Sequence, residues 1–396
     1  MIRKEDQYFS VNRILLLTIG LWPYQQSNFT RFQHIFISAI FTTFITFQLT
    51  AFLTLRCTSE LFMKVLSYLC HFTSPVIKYN VFYFNIEGLL ELQVKDLLIQ
   101  LQHIHNKLKN KNEIAIMKKY DCTAKHYAVA LTILGVCGMF ALVIVQFSLN
   151  MADVDLSTND SRSYQFLFTM EYFIDPEKYF YFILLHINAA MCIAVIVEIA
   201  VGSMMIAYIH HICGMFRIAS YRIENAININ ILQTITLKNK ILMIESIICA
   251  VDIHRQAMKL NRHFVSTLEI MLFCLIICCV ITLSLNLFQI ASFVGNMEKV
   301  LMPFLCSLVA ILHMFLSNLM GQIVIDYNNH IFTTAYNVQW YKTPLHIQRM
   351  ILFLLQRETK EFKINFGRLF DGSMMSFATL LKASLSYFTV IHSTRS

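Results

Sequence analysis

Few side chains in this sequence could act together on a substrate. His210-His211 and Cys213 are close in the chain, but neighbouring residues of a helix point to different faces and do not converge on a metal ion. The 11 cysteines show no CxxC or CxxH spacing, and most, such as Cys137, Cys192, Cys274, Cys278 and Cys279, stand inside apolar runs, where cysteine packs as a small hydrophobe. There is no GxSxG, no phosphate-binding glycine loop and no HExxH. Two ions, Glu198 and Lys382, sit deep in apolar stretches, and nothing in the sequence pairs them. Near the end, Thr379, Ser384, Ser386, Thr389 and Ser393 place hydroxyls among the apolar residues of 373–393. A helix mixed in this way has a face that wants water or protein rather than lipid. Conduction or recognition fits such a chain; catalysis does not. No enzyme, cofactor, metal site or nucleic-acid partner is expected.

The elements that must hold these residues follow from composition. Of 396 residues 57% are hydrophobic and 14% charged, against about 25% charged in a soluble domain, and the mean hydropathy is +0.56. Such a chain cannot cover its apolar surface with water-facing groups, so it is a polytopic, all-α integral membrane protein. Seven spans are expected, at 35–55, 62–84, 127–151, 179–211, 270–293, 300–325 and 373–393, in a single membrane domain with an N-terminal segment 1–34. Span two is interrupted by Lys64 and Lys78. The early run Ile14–Trp22 is too short to cross and is followed by no small-residue cleavage site, so no signal peptide is expected. It reads as an interfacial helix stopped by Pro23.

Lysine and arginine set the orientation. Of the 32 basic residues, 24 fall before span one or in the loops 2–3, 4–5 and 6–7. These loops are therefore cytoplasmic, which puts the N-terminus inside and the C-terminus outside. The sequon at Asn159 then lies outside and can be glycosylated, whereas Asn28 should stay bare. The acidic loop with Asp153, Asp155, Asp160, Glu171, Asp175 and Glu177 also faces outward, where it would concentrate cations. Several helices should outrun the bilayer and join in a cytoplasmic bundle. An apolar stripe, Leu90, Val94, Leu97, Leu101, Ile104 and Leu108, continues span two, and span four runs on past Glu198 to Phe216. In the assembly region 326–372, the cluster Ile347, Met350, Ile351, Leu354 and Leu355 is too short to cross a membrane and needs a protein partner, in its own subunit or in another.

Three motifs carry a likeness: Gly20-Leu21-Trp22-Pro23 near the start, Trp340-Tyr341 with Pro344, and above all LLKASLSYFT at 380–389. With seven spans and an inside N-terminus, the chain resembles the insect odorant receptors along its whole length. The orientation is opposite to that of a G-protein-coupled receptor, and DRY, NPxxY and CWxP are missing. A G-protein-coupled-like metabotropic chemoreceptor and a gustatory receptor channel are the alternatives. Against the second, Ser386-Tyr387 is not followed by the Gln-Phe ending that gustatory receptors favour.

The resemblance implies a heterotetramer with an odorant co-receptor subunit in the plasma membrane of a sensory dendrite. This chain would be the ligand-tuning subunit rather than the co-receptor. The assembly is expected to be a non-selective cation channel with the seventh helix lining the pore. A small volatile organic ligand would bind the outer half of the bundle. There the expected lining is His71, Phe72, Gly138, Met139, Leu142, Phe182, His186, Met302 and Phe304, an aromatic and Met-rich set suited to apolar molecules. Aligning Tyr387-Phe388 on the family's Tyr-Phe pair puts the pore constriction at Val390, Ser393 and Thr394, which share one helical face.

Overall fold

The structure, a computed structural model, describes residues 10–22, 24, 27–54, 58–87, 99, 108, 110–156, 168–175, 178–227, 236–293, 295, 297–358, 362, 364–366 and 370–394. Asn159 and most of the stripe 90–108 lie outside these residues.

A short helix α1 (Ser10–Thr18) precedes six long helices: α2 (Asn28–Thr54), α3 (Ser59–Glu87), α4 (Lys111–Leu156), α5 (Phe180–Ala226), α6 (Leu237–Ser292) and α7 (Met297–Asn337). A 3₁₀ turn (Trp340–Lys342), helix α8 (Leu345–Glu358), a small hairpin of β1 (Asn365–Phe366) and β2 (Phe370–Asp371), and helix α9 (Met374–Ser393) complete the chain. In the hairpin Asn365 pairs with Asp371 and Phe366 with Phe370. Six helices, α2, α4, α5, α6, α7 and α9, are long and apolar enough to span a membrane. The seventh, α3, has the length, at 29 residues, and its charges Lys64 and Lys78 interrupt the apolar run. The expected seven-helix, all-α architecture is thus what forms, with the hairpin as its one departure among the described residues.

The helices overrun the bilayer. α4 to α7 have 46, 47, 56 and 41 residues, about 60–85 Å at 1.5 Å per residue, where a bilayer needs about 20 residues. Their overhang forms one bundle held by polar ties. Arg222 on α5 donates through Nε and Nη2 to both carboxylate oxygens of Glu113 on α4, at 2.7 and 2.9 Å. This hydrogen-bonded carboxylate raises the guanidinium above its usual pKa. Nη1 of Arg222 reaches the Cys249 carbonyl of α6 at 2.9 Å, and His254 of α6 bonds Asn328 of α7 at 2.9 Å.

Helix α5 is the axis. It is apolar on every side and buried almost without a break from Ile199 to Ala219, the pattern of a helix surrounded by others; α1, α2, α3, α4, α6 and α7 all touch it. Gly135 lets α4 come against it, since a Cβ there would run into Ile199. Helix α1 buries Leu16, and the residues just after it, Ile19 and Leu21, are also buried in the protein core.

Helix α8 carries the cytoplasmic apolar cluster on one face and further apolar residues on the other. Ile347, Ile351 and Leu354 pack into the core of their own subunit, with α7 and α6 as neighbours. Leu352 and Phe353 point outward, Phe353 at 78% exposure. Met350 and Leu355 also pack against that core, so the partner that the sequence demanded for the whole cluster is the same chain, and the outward residues lie outside the cluster.

At the turn into α9, the Ser373 hydroxyl accepts the Ser376 N–H at 3.2 Å and caps the helix. Gln322 of α7 accepts the Met374 N–H at 3.3 Å. Next to Gln322, Gly321 lies against the Gly372 backbone, so that a Cβ at 321 would collide with it. A backbone cannot yield as a flexible side chain can. We expect Gly321→Ala to destabilise the protein by about 1–3 kcal/mol, the usual cost of overpacking. A thermal unfolding midpoint in detergent equal to that of the wild type would show that the turn moves freely.

Candidate functional site

Four residues of α3 recur at intervals of four, three and four: Ser67, His71, Ser74 and Lys78. They form one stripe, and it faces the other helices. Ser67 Oγ donates to Asn286 Oδ1 of α6 at 2.5 Å, and Ser74 Oγ donates to Glu198 Oε1 of α5 at 2.9 Å. The Lys78 ammonium forms an ion pair with Glu198 Oε2, and His313 of α7 reaches the same oxygen through Nε2 at 2.9 Å. Glu198 thus ties together three helices. It lies 18 residues into α5, about 27 Å along the helix, close to the far side of a hydrocarbon core about 30 Å thick. A carboxylate there is tolerable because an ammonium and two further donors surround it.

The middle of the stripe is open. Ser67 and Lys78 are buried, whereas His71 and Ser74 between them keep accessible surface. Side chains on an inward stripe that remain accessible border a space between the helices. Pro75 adds a polar feature, because it has no N–H to give the His71 carbonyl four residues earlier. The arrangement sets polar groups beside that space, able to orient one polar group of a small molecule.

Next to it, α2, α3, α5 and the segment Phe168–Tyr172 build an aromatic cluster. Phe44 lies 4.3 Å from Phe72 and 6.0 Å from Phe168 between ring centroids, and Phe168 lies 5.2 Å from both Phe72 and Tyr68. The segment is fastened over α2. The Glu171 N–H donates to the Phe47 carbonyl at 3.1 Å, and Thr50 Oγ1 donates to the Glu171 carbonyl at 2.9 Å. His186 of α5 adds a third clasp, 3.0 Å from Thr43 Oγ1 and 2.9 Å from the Tyr172 hydroxyl. Thr43 Oγ1 already donates to the Ala39 carbonyl, so it accepts from His186 Nε2–H, and Nδ1 accepts from Tyr172. Burial pushes the Tyr172 phenol up in pKa.

The expected pocket residues divide. His71 borders the interior space, and Phe72 beside it points to the aromatic cluster. His186 reaches the same cluster through Phe44, at 6.2 Å between rings. Met302 is buried in the core; Leu142 packs against that core and Met139 is half-buried. Phe182 (72% exposed) and Phe304 (55% exposed) lie on outward faces of α5 and α7, and Gly138 is exposed with nothing within 4 Å of where its Cβ would be. These three are not brought into the bundle. Ile183, next to Phe182, and Met302, two before Phe304, are buried, because each position along a helix turns a side chain by about 100°. Val390, Ser393 and Thr394 are exposed on α9.

The sequence reading missed the partners of Glu198 and took Lys78 only as an interruption of span two. The signal was there: a lysine inside an apolar span calls for a counter-charge. Glu198 is the acid it meets, 120 residues on. Lys382, the other intramembrane ion, is exposed on α9.

Comparison with known proteins adds to this geometry. No curated protein matches the chain in sequence. Among solved structures, the insect olfactory receptor OR5 from Machilis hrabei in complex with eugenol superposes with a TM-score of 0.78 at 15% identity, over 98% of both chains. A second structure of that receptor gives 0.75 at 14% identity, over 97% of both. At such identities the likeness is one of fold. The sequence profile described as 7tm Odorant receptor matches residues 58–385, from the start of α3 into α9. With that match over most of its length, the chain belongs to the odorant receptor family and is a multi-pass membrane receptor, not an enzyme.

Proposed function

We propose that this chain is the ligand-tuning subunit of an odorant-gated, non-selective cation channel. It would assemble with a co-receptor as a heterotetramer in the plasma membrane of a sensory dendrite, bind a small volatile ligand in the outer half of the bundle, and open a pore lined by α9. The observation that carries this reading is the half-open interior at His71 and Ser74, enclosed by helices that also hold α9. α7 carries His313 at the site and, nine residues on, Gln322, whose side chain accepts from the first N–H of α9. α6 carries Asn286, bonded to the α3 stripe, and Ser284, whose Oγ lies 3.1 Å from the Ser384 carbonyl of α9. A ligand that favours one arrangement of α3, α6 and α7 thereby biases α9, provided it binds the open state more tightly.

Whole-cell recording from cells that express the chain with and without a co-receptor, against an odorant panel, tests the proposal. Ligand-evoked cation current that needs both subunits and persists when G-protein signalling is blocked is the expected result. A response abolished by that block would make the chain a metabotropic receptor instead.

Orientation and assembly have separate tests. Given the charge distribution, an epitope tag after Ser396 should bind antibody on unpermeabilised cells and a tag before Met1 should not; reversed staining would overturn the topology. For assembly, the outward Phe353 is the residue to change. Phe353→Glu puts a carboxylate on a face we assign to a partner subunit, at a cost of several kcal/mol once covered. We expect co-precipitation with the co-receptor to fall while the isolated subunit keeps its thermal midpoint. Undiminished co-precipitation would free this face from the interface.

A further inference from the structure

Helix α6 carries an exposed cationic stripe just outside the membrane. From Ile270 to its end at Ser292 the helix holds no charged residue. That stretch is about 34 Å long, enough to cross a hydrocarbon core about 30 Å thick. Ile270 therefore marks the membrane edge, and the part of α6 before it belongs to the overhang. There Arg255, Lys259 and Arg262 recur at intervals of four and three, and Ser266 and Ile270 continue the row at intervals of four. All five are exposed, as are Ile277 and Ile281 on the same side farther along. At about 100° per residue these seven positions share one face of the helix. The face that α6 leaves to lipid inside the membrane thus turns cationic where the helix emerges. Among the described residues none of the three cations makes an ion pair. Asp252, one turn before Arg255, instead accepts from the Gln256 amide at 2.6 Å. The other acids of the overhang, Glu245 and Glu269, stand ten residues before Arg255 and seven after Arg262.

We propose that Arg255, Lys259 and Arg262 bind the headgroup of a phosphoinositide, a phospholipid that carries phosphate monoesters, in the cytoplasmic leaflet. A basic residue beside an anionic membrane surface is worth about fivefold in binding, and here three act along one row. Their position selects the headgroup. Arg262 lies about 12 Å and Arg255 about 22 Å before Ile270 along the helix. The diester phosphate of any phospholipid, and the carboxylate of a serine headgroup, stay close to the hydrocarbon edge. A headgroup that projects further phosphates away from that edge meets all three cations. Each arginine fork can bond two oxygens of one phosphate, and the lysine adds a point charge between the forks. The exposed Ile270, Ile277 and Ile281 then run beside the acyl chains, which a soluble inositol phosphate lacks. This site uses neither the interior at His71 nor channel function, and only the choice of leaflet rests on the orientation given above.

The test uses the purified full chain in detergent, titrated with dioctanoyl phosphatidylinositol bisphosphate, dioctanoyl phosphatidylserine and soluble inositol trisphosphate, with bound probe read by native mass spectrometry. The bisphosphate lipid should bind at least about tenfold more tightly than either of the others, and less tightly as salt rises, because exposed charges are screened. In the triple variant Arg255→Gln/Lys259→Gln/Arg262→Gln its affinity should fall by about tenfold to a hundredfold, the sum of three such contacts. The thermal midpoint should not change, since all three side chains are exposed. Arg255→Lys/Arg262→Lys keeps the charge and should stay within about threefold of the wild type. If the triple variant does not fold, Arg262→Gln alone should weaken the bisphosphate lipid by about fivefold. Phosphatidylserine bound as tightly, or a lipid affinity indifferent to these substitutions, would overturn the proposal. Inositol trisphosphate bound as tightly would also overturn it, making the stripe a site for a free phosphate ester. So would a triple variant that keeps its lipid but loses co-precipitation with a co-receptor, for then a partner subunit covers the stripe. Absence of odorant-evoked current would end the channel reading and leave this site standing.

Discussion

Glu198→Leu should strip the protein of most of its surface delivery. The substitution leaves the Lys78 ammonium buried in the membrane interior, with Ser74 and His313 deprived of the oxygens they now contact. Removing one partner of a buried ion pair costs about 3–5 kcal/mol, a large share of the about 5–15 kcal/mol by which a folded domain is held together. The lost bonds also tie α5 to two other helices, so the variant loses packing register as well as charge balance. Surface biotinylation and the thermal midpoint in detergent measure the effect. The informative control is the double variant Lys78→Met/Glu198→Leu, which removes both charges and keeps the volume apolar. Replacing a whole buried pair is often neutral or stabilising, so the double variant should recover much of the delivery that the single one loses. A single variant indistinguishable from the wild type would mean that the pair holds nothing together. A double variant as poor as the single one would assign the loss to Glu198's bonds with Ser74 and His313 rather than to an unpaired lysine.

Val390→Ser should raise the current that flows without ligand, several-fold over the wild type when expressed with a co-receptor. Helix α9 buries Leu380 and Ser384 against its own subunit, while Val390 is 59% exposed and Ser393 and Thr394 share its face. The two hydroxyls are turned inward, Ser393 Oγ donating to the Val390 carbonyl at 2.9 Å and Thr394 Oγ1 to the Ile391 carbonyl at 2.9 Å. Val390 is then the apolar member of this face. An apolar ring in a narrow pore excludes water and stops ions without a plug, and a serine hydroxyl would help water to stay. Cysteine placed at 390 or 394 should react with a thiol reagent faster in the presence of an agonist. Wild-type basal current in Val390→Ser, with reaction rates indifferent to agonist, would remove these residues from the gate.

The site itself was half legible in the sequence. His71 and His186 were picked out because depth along a span follows from counting residues, and depth is where the membrane imposes its rule. Phe182 and Phe304 were picked on the same count and turn outward, because depth says nothing about rotation. Glu198 was recognised as an ion in the wrong solvent, yet its partners stand 120 and 115 residues away, beyond any periodicity. Arg255, Lys259 and Arg262 read in sequence as part of a basic loop, and only the packing of α6 shows that they share its outward face.

The sequence by itself determined that the chain is a polytopic, all-α membrane protein of seven helices and that its middle helices are too long for the bilayer. These are properties of local composition, since hydrophobic length, charge and spacing act on each segment separately. The tertiary structure alone decided which face of each helix looks inward, which charges neutralise each other, and whether the α8 cluster finds its partner within the subunit. Those outcomes depend on how helices distant in sequence rotate and pack against one another, and a hydrogen bond or an ion pair is made only where two such rotations bring its atoms within about 3 Å.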